Sequence, residues 1–85
     1  MSWEVHWTEA SARDLRRIDA QAEDRIRVAI RRYAETEYGD IRRLQGRERQ
    51  WRLRAGDWRV IFTLEPSTGR MVVLGVRHRS DAYRG

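Results

Sequence analysis

Apolar and polar residues alternate through Trp51–Leu64, W-R-L-R-A-G-D-W-R-V-I-F-T-L. Trp51, Leu53 and Ala55 fall on one side and Arg52 and Arg54 on the other, with Gly56-Asp57 between two β-rich runs. That spacing predicts a β-hairpin closed by a two-residue turn with Gly at the first central position. Such a turn sets the register. Ala55 then opposes Trp58, Arg54 opposes Arg59, and Leu53 opposes Val60. One face carries Trp51, Leu53, Trp58, Val60, Phe62 and Leu64, a core face; the other gathers Arg52, Arg54 and Arg59.

The same reading extends to the rest of the chain. Ser2–Trp7 alternates, with Trp3, Val5 and Trp7 on one side, and predicts a first strand with one buried face. Thr8 is placed to cap a helix running to about Ile18, with Ala12, Leu15 and Ile18 at helical spacing. Asp19 can cap a second helix of about 17 residues, whose apolar stripe is Ala22, Ile26, Ala29, Ile30, Tyr33 and Ala34. Glu23, Arg27 and Arg31 line its outer face at i, i+4 spacing. Tyr38-Gly39-Asp40 ends it, and Ile41–Arg49 reads as a polar connection. After the hairpin, Pro66-Ser67-Thr68-Gly69 is a turn. Met71–Val76 is a nearly continuous apolar run, as expected of a central strand covered on both faces. Arg77–Gly85 reads as a short basic tail. The expected order is β-α-α-β-β-β, an α+β architecture: a helical hairpin on a small, mainly antiparallel twisted sheet.

Length and charge narrow the function. The chain has 85 residues, enough for one domain, residues 1–85, with a modest core. Its net charge is +5, and all 18 basic residues are arginine. Like charges directly opposite on a sheet are destabilising, so folding alone gives no reason to set Arg54 across from Arg59. The face is expected to meet a polyanion. Cysteine is absent, so neither disulfides nor thiolate metal sites support the fold. With only two histidines, no metal or cofactor is expected. No apolar run approaches the roughly 20 residues of a membrane span, and the N-terminus lacks a signal-peptide pattern. A cytoplasmic protein with no membrane contact is expected.

The segment L-R-A-G-D-W-R-V-I-F, the apolar strand after it and R-H-R-S-D-A-Y-R together resemble the RelE-type toxins of bacterial toxin–antitoxin modules. The resemblance extends to the Trp3–Trp7 strand, the Ala12–Leu15 segment and Leu44-Gln45-Gly46. It implies an mRNA interferase that cleaves messenger RNA in the ribosomal A site. The wider superfamily includes ParE-type toxins, which poison DNA gyrase on a similar scaffold and lack the ribonuclease residues. The family's catalytic positions fall on Arg52, Arg59, Arg77 and Tyr83. Arg49, Gln50, Arg54, His78 and Arg79 flank them as expected RNA contacts. Gln50 departs from a basic family position, with Arg54 and Arg49 as nearby candidates for that charge. A toxin also implies a cognate antitoxin, expected to be acidic and to form a tight hetero-oligomeric complex.

The residue types suit metal-free cleavage. RNA carries its own nucleophile, the 2′-hydroxyl, and guanidiniums aimed at one phosphate can stabilise the phosphorane. Arginine is a poor general base at neutral pH. Tyr83 either assists deprotonation or stacks on a base. Arg77 is expected to assist the leaving 5′-oxygen, and Arg59 and Arg52 to bind the phosphate. Duller roles stand beside these. Arg52 and Arg54 can be solvated outward residues, Arg77 can form a surface bridge with Asp57 or Asp81, and Tyr83 can cover the sheet edge. His78, between two arginines, is either an acid–base group or a bystander. His6 is a surface residue, and the tryptophans share the apolar phase of their strands. The alternative function is a non-catalytic binder, either a gyrase poison or a nucleic-acid-binding module.

Overall fold

The computed structural model describes residues 2–46 and 49–82. Strand β1 (Glu4–Trp7) is followed by helices α1 (Glu9–Arg16) and α2 (Ala20–Thr36). Strands β2 (Ile41–Arg43), β3 (Gln50–Ala55), β4 (Trp58–Glu65) and β5 (Arg70–His78) then lead into a single helical turn, α3 (Arg79–Ala82). The strands form one sheet in the order β1-β5-β4-β3-β2. β1 pairs parallel with β5, and every other pairing is antiparallel. The helical hairpin covers one sheet face, as the α+β reading expects.

Both helix starts follow from their caps. Thr8 Oγ1 accepts the Ser11 N–H at 3.1 Å, and Asp19 Oδ1 accepts that of Ala22 at 2.8 Å, each satisfying an otherwise orphaned donor. α1 ends at Arg16, two residues earlier than its periodicity suggests. The N–H groups of Arg17 and Ile18 turn back to the Asp14 and Leu15 carbonyls at 3.1 Å, tightening the last turn so that Asp19 can begin α2. α2 spans the expected 17 residues. It stops at Glu37, whose left-handed φ of 59° lets its N–H reach the Tyr33 carbonyl.

The core lies between α2 and the hairpin. Ile26, Leu53, Val60, Phe62, Met71 and Val73 are all but sealed. Tyr33 meets Phe62 with ring centroids 5.5 Å apart. Ser11 is fully buried on α1, satisfied by donating to the Thr8 carbonyl at 3.0 Å. The four tryptophans pack around this cluster rather than at its centre. In so thin a domain a bulky indole reaches solvent at one edge.

Three features depart from the sequence reading. The connection after α2 is not wholly irregular: Ile41–Arg43 pairs with Leu53, Arg52 and Trp51 as an edge strand. Ile41 opposite Leu53 adds to the core face, and three residues are too few to show alternation. The expected basic tail from Arg77 is not irregular at its start: Arg77 and His78 end β5 and α3 follows, tied back by Arg79 N–H donating to the Asp57 carbonyl of the hairpin turn at 2.7 Å. Finally, β5 lies between β1 and β4 but is helix-covered on one face. Its continuous apolar run has another cause. Ile61 pairs with Gly75 while Phe62 pairs with Val73, so Leu74 is an extra residue in a β-bulge. Met71 and Val73 face the core before the bulge and Val76 faces it after, which erases the alternation.

Candidate functional site

The sheet face away from the helices carries the arginines. Across β3 and β4, Arg54 opposes Arg59, Ala55 opposes Trp58 and Leu53 opposes Val60, the register expected from Gly56-Asp57. Gly56 has a φ of 62°, a left-handed value that glycine adopts without cost. β5 then sets Arg77 opposite Arg59. Arg54, Arg59 and Arg77 thus stand abreast on three neighbouring strands, each strand about 4.8 Å from the next. Arg52 lies two residues from Arg54 on the same face and opposite Arg42 of β2.

The bulge decides this row. Without the extra residue, Arg77 would share the phase of Met71 and Val73 and point into the core. With it, Arg77 and Gly75 join the outer face.

The guanidiniums differ in their surroundings. Arg59 is buried, at 6% exposure. Its side chain turns back along the hairpin, with Nη1 donating to the carbonyls of Gly56 at 2.9 Å and Trp58 at 3.1 Å. Its Nε is buried and makes no hydrogen bond among the described residues. Arg52 is also largely covered, and its Nη1 lies 3.8 Å from Asp40 Oδ1. That distance allows charge attraction but exceeds a hydrogen bond, so the buried Nη1 is likewise unsatisfied among the described residues. Arg77 is half exposed and donates through Nη1 to Asp14 Oδ2 at 2.8 Å. Its partner is Asp14 on α1, rather than Asp57 or Asp81. Arg54 is exposed.

The flanking positions divide. Gln50 opens β3 opposite Thr63, in phase with Arg52 and Arg54. Arg49, exposed and with a φ of 58°, immediately precedes it. His78 falls on the opposite face, where its ring meets the edge of Trp58 at 5.2 Å. Its Nδ1 takes the Ser80 N–H at 3.3 Å and lies 3.0 Å from Ser80 Oγ, so it caps α3 and does not border the arginine row. Arg79 is exposed on α3, 3.9 Å from Asp57. Tyr83 lies outside the described residues. His6 is on β1, beside Glu4. The sequence reading missed Arg42, Asp40 and Asp14. None left a local signal: β2 is too short to show alternation, and Asp40 and Asp14 meet the arginines only through the fold.

Chemically, the row concentrates positive charge on one face. Opposed like charges each cost about 0.2–1 kcal/mol, and buried guanidinium nitrogens without acceptors cost more. A phosphate or carboxylate laid along the row offsets the repulsion; the buried nitrogens gain an acceptor only where their side chains turn outward.

The model of the ParE toxin of type II toxin–antitoxin systems, parDE, matches residues 5–83. The chain belongs to this toxin family. Solved structures show the same fold for RelE toxins. The RelE–RelB complex of Pyrococcus horikoshii OT3 superimposes with a TM-score of 0.76 at 20% identity, covering 93% of this chain and 97% of that one. A doubly substituted Escherichia coli RelE in the free state gives 0.78 at 14% identity, covering 98% and 88%. The RelBE2 complex of Mycobacterium tuberculosis gives 0.66 at 24% identity, covering 93% and 100%. No curated protein matches the sequence. This toxin is therefore a RelE/ParE-superfamily member with a RelE-like sheet and helical hairpin. Among its described residues, no helix is long and apolar enough to cross a membrane.

Proposed function

We propose that this toxin is a ribosome-dependent endoribonuclease that cleaves messenger RNA and so arrests translation. The observation that supports it best is the row Arg54–Arg59–Arg77, three arginine positions abreast on the sheet face away from the helices. In the proposed reaction the ribose 2′-oxygen attacks the adjacent phosphorus as its proton is removed. The bond to the 5′-oxygen breaks, that oxygen gains a proton, and a 2′,3′-cyclic phosphate and a 5′-hydroxyl remain. Arg52 and Arg59 bind the phosphate, and Arg77 stabilises charge on the leaving oxygen. Tyr83 removes the 2′-proton or stacks on a base. In this reading the Arg59 side chain turns outward on binding, and an RNA phosphate then gives its orphaned Nε an acceptor. Arg49, Gln50, Arg54 and Arg79 extend the contact. The RelE structures solved with RelB and the surplus of positive charge support a cognate antitoxin whose acidic segments cover this face in a hetero-oligomer.

Primer extension on messenger RNA after induction tests the proposal. Breaks in frame with codons, lost in Arg59→Ala and Arg77→Ala, are expected. Near-parental cleavage by both variants refutes it.

The burial of Arg59 favours a second reading: a ParE-like toxin that binds DNA gyrase without cutting RNA. Pulse-labelling separates the two. Early loss of protein synthesis belongs to the ribonuclease; early loss of DNA synthesis with an SOS response belongs to the gyrase poison.

A further inference from the structure

Asp14 Oδ2 accepts two hydrogen bonds from the far end of the chain: Val76 N–H at 2.9 Å and Arg77 Nη1 at 2.8 Å. The first has a structural origin. β1 pairs with β5 only as far as Val73. Thr8 extends the seam, its N–H reaching the Val73 carbonyl at 3.1 Å. Beyond that point Asp14 supplies the acceptor a continued strand would have given to Val76. The second bond is not needed for that purpose.

Gly75 makes room for it. A Cβ on Gly75 would lie 3.0 Å from Arg77 Nη1 and 3.4 Å from Cζ and Nη2. The guanidinium lies over the bare backbone of its neighbour two residues back. Gly75 does not have a positive φ, so space rather than backbone conformation is what the missing side chain provides. Nη1 also donates to the Val76 carbonyl at 3.2 Å. All of Arg77's hydrogen bonds among the described residues pass through this one nitrogen, which leaves Nε and Nη2 without a partner there on a half-exposed side chain.

We infer that Asp14 is a positioning residue for Arg77: with the space left by Gly75, it holds the guanidinium on the arginine row with two donors turned to the RNA phosphate. The inference rests on the ribonuclease reading. An unrestrained arginine loses rotamer freedom when it engages a phosphate; Asp14 imposes that order beforehand.

The test uses Asp14→Asn and Gly75→Ala, neither of which alters Arg77. The asparagine keeps an oxygen for Val76 but removes the charge that holds Nη1. The alanine leaves Asp14 intact and crowds the guanidinium, which must give way by a few tenths of an ångström and strain its bond to Asp14. NMR of the Arg77 side-chain N–H groups should show a resolved, slowly rotating signal in the parental toxin. Both variants should lose it while keeping the parental backbone amide spectrum elsewhere. On programmed ribosomes, both should cleave about tenfold more slowly or worse, with no further loss when combined with Arg77→Ala. Parental cleavage by variants that have lost the signal overturns the inference, as does a signal unchanged in both. Failure of the parental toxin to cut RNA at all overturns the ribonuclease reading and the role of Asp14 within it. The NMR signal then reports separately whether Asp14 holds Arg77.

Discussion

Arg59 stands directly opposite Arg77 across β4 and β5, yet among the described residues a carboxylate hydrogen-bonds to Arg77 and not to Arg59. Arg59 is buried between two like-charged neighbours and satisfies one nitrogen on backbone carbonyls. Replacing a buried charge with an apolar residue of similar volume is often neutral or stabilising. Arg59→Met should therefore raise stability by about 1 kcal/mol while abolishing RNA cleavage. Urea unfolding at unchanged m-value measures the first, and primer extension the second. A lower urea midpoint would show that the bonds to Gly56 and Trp58 outweigh the charge penalty.

Arg54 is the exposed end of the same row. Arg54→Glu places a carboxylate beside Arg59 and replaces a repulsion with an attraction. Stability should change by no more than about 1 kcal/mol. Ribosome association should weaken and its dependence on salt should flatten, because fewer phosphates are neutralised. Binding titrations at two ionic strengths read this directly.

Phe62 has no exposed surface and stacks obliquely on Tyr33. Phe62→Ala should cost about 3–5 kcal/mol, enough to unfold many domains of this size. Calorimetry of the purified variant should show a lost or greatly lowered transition.

Burial raises the Tyr33 phenol above its ordinary value near 10, and the nearby Glu37 carboxylate adds to the effect. The unfolded chain therefore releases this proton at lower pH than the folded one. Stability is intact below about pH 10 and falls as pH rises through the folded value. Tyr33→Phe should flatten the alkaline limb of the stability profile, measured by urea midpoints between pH 8 and 11.

Local rules made much of this fold legible in the sequence. The Gly56-Asp57 turn determined which residues of β3 and β4 face each other, because a two-residue turn permits one register. Thr8 and Asp19 determined where the helices start, because their side chains satisfy nearby donors. The pairing of Arg54 with Arg59, and hence a cationic face, followed from that turn alone. The tertiary structure decided what depends on distant partners. β2 exists because Ile41 finds Leu53 across the sheet. His78 turns away from the arginines because its strand position pairs it with Trp58. Arg77 reaches the row because an extra residue at Leu74 reverses the phase of β5, and Asp14 of α1 meets it there. A bulge is set by the neighbouring strand and a carboxylate bridge by helix packing, so neither leaves a periodic trace in the chain that carries it.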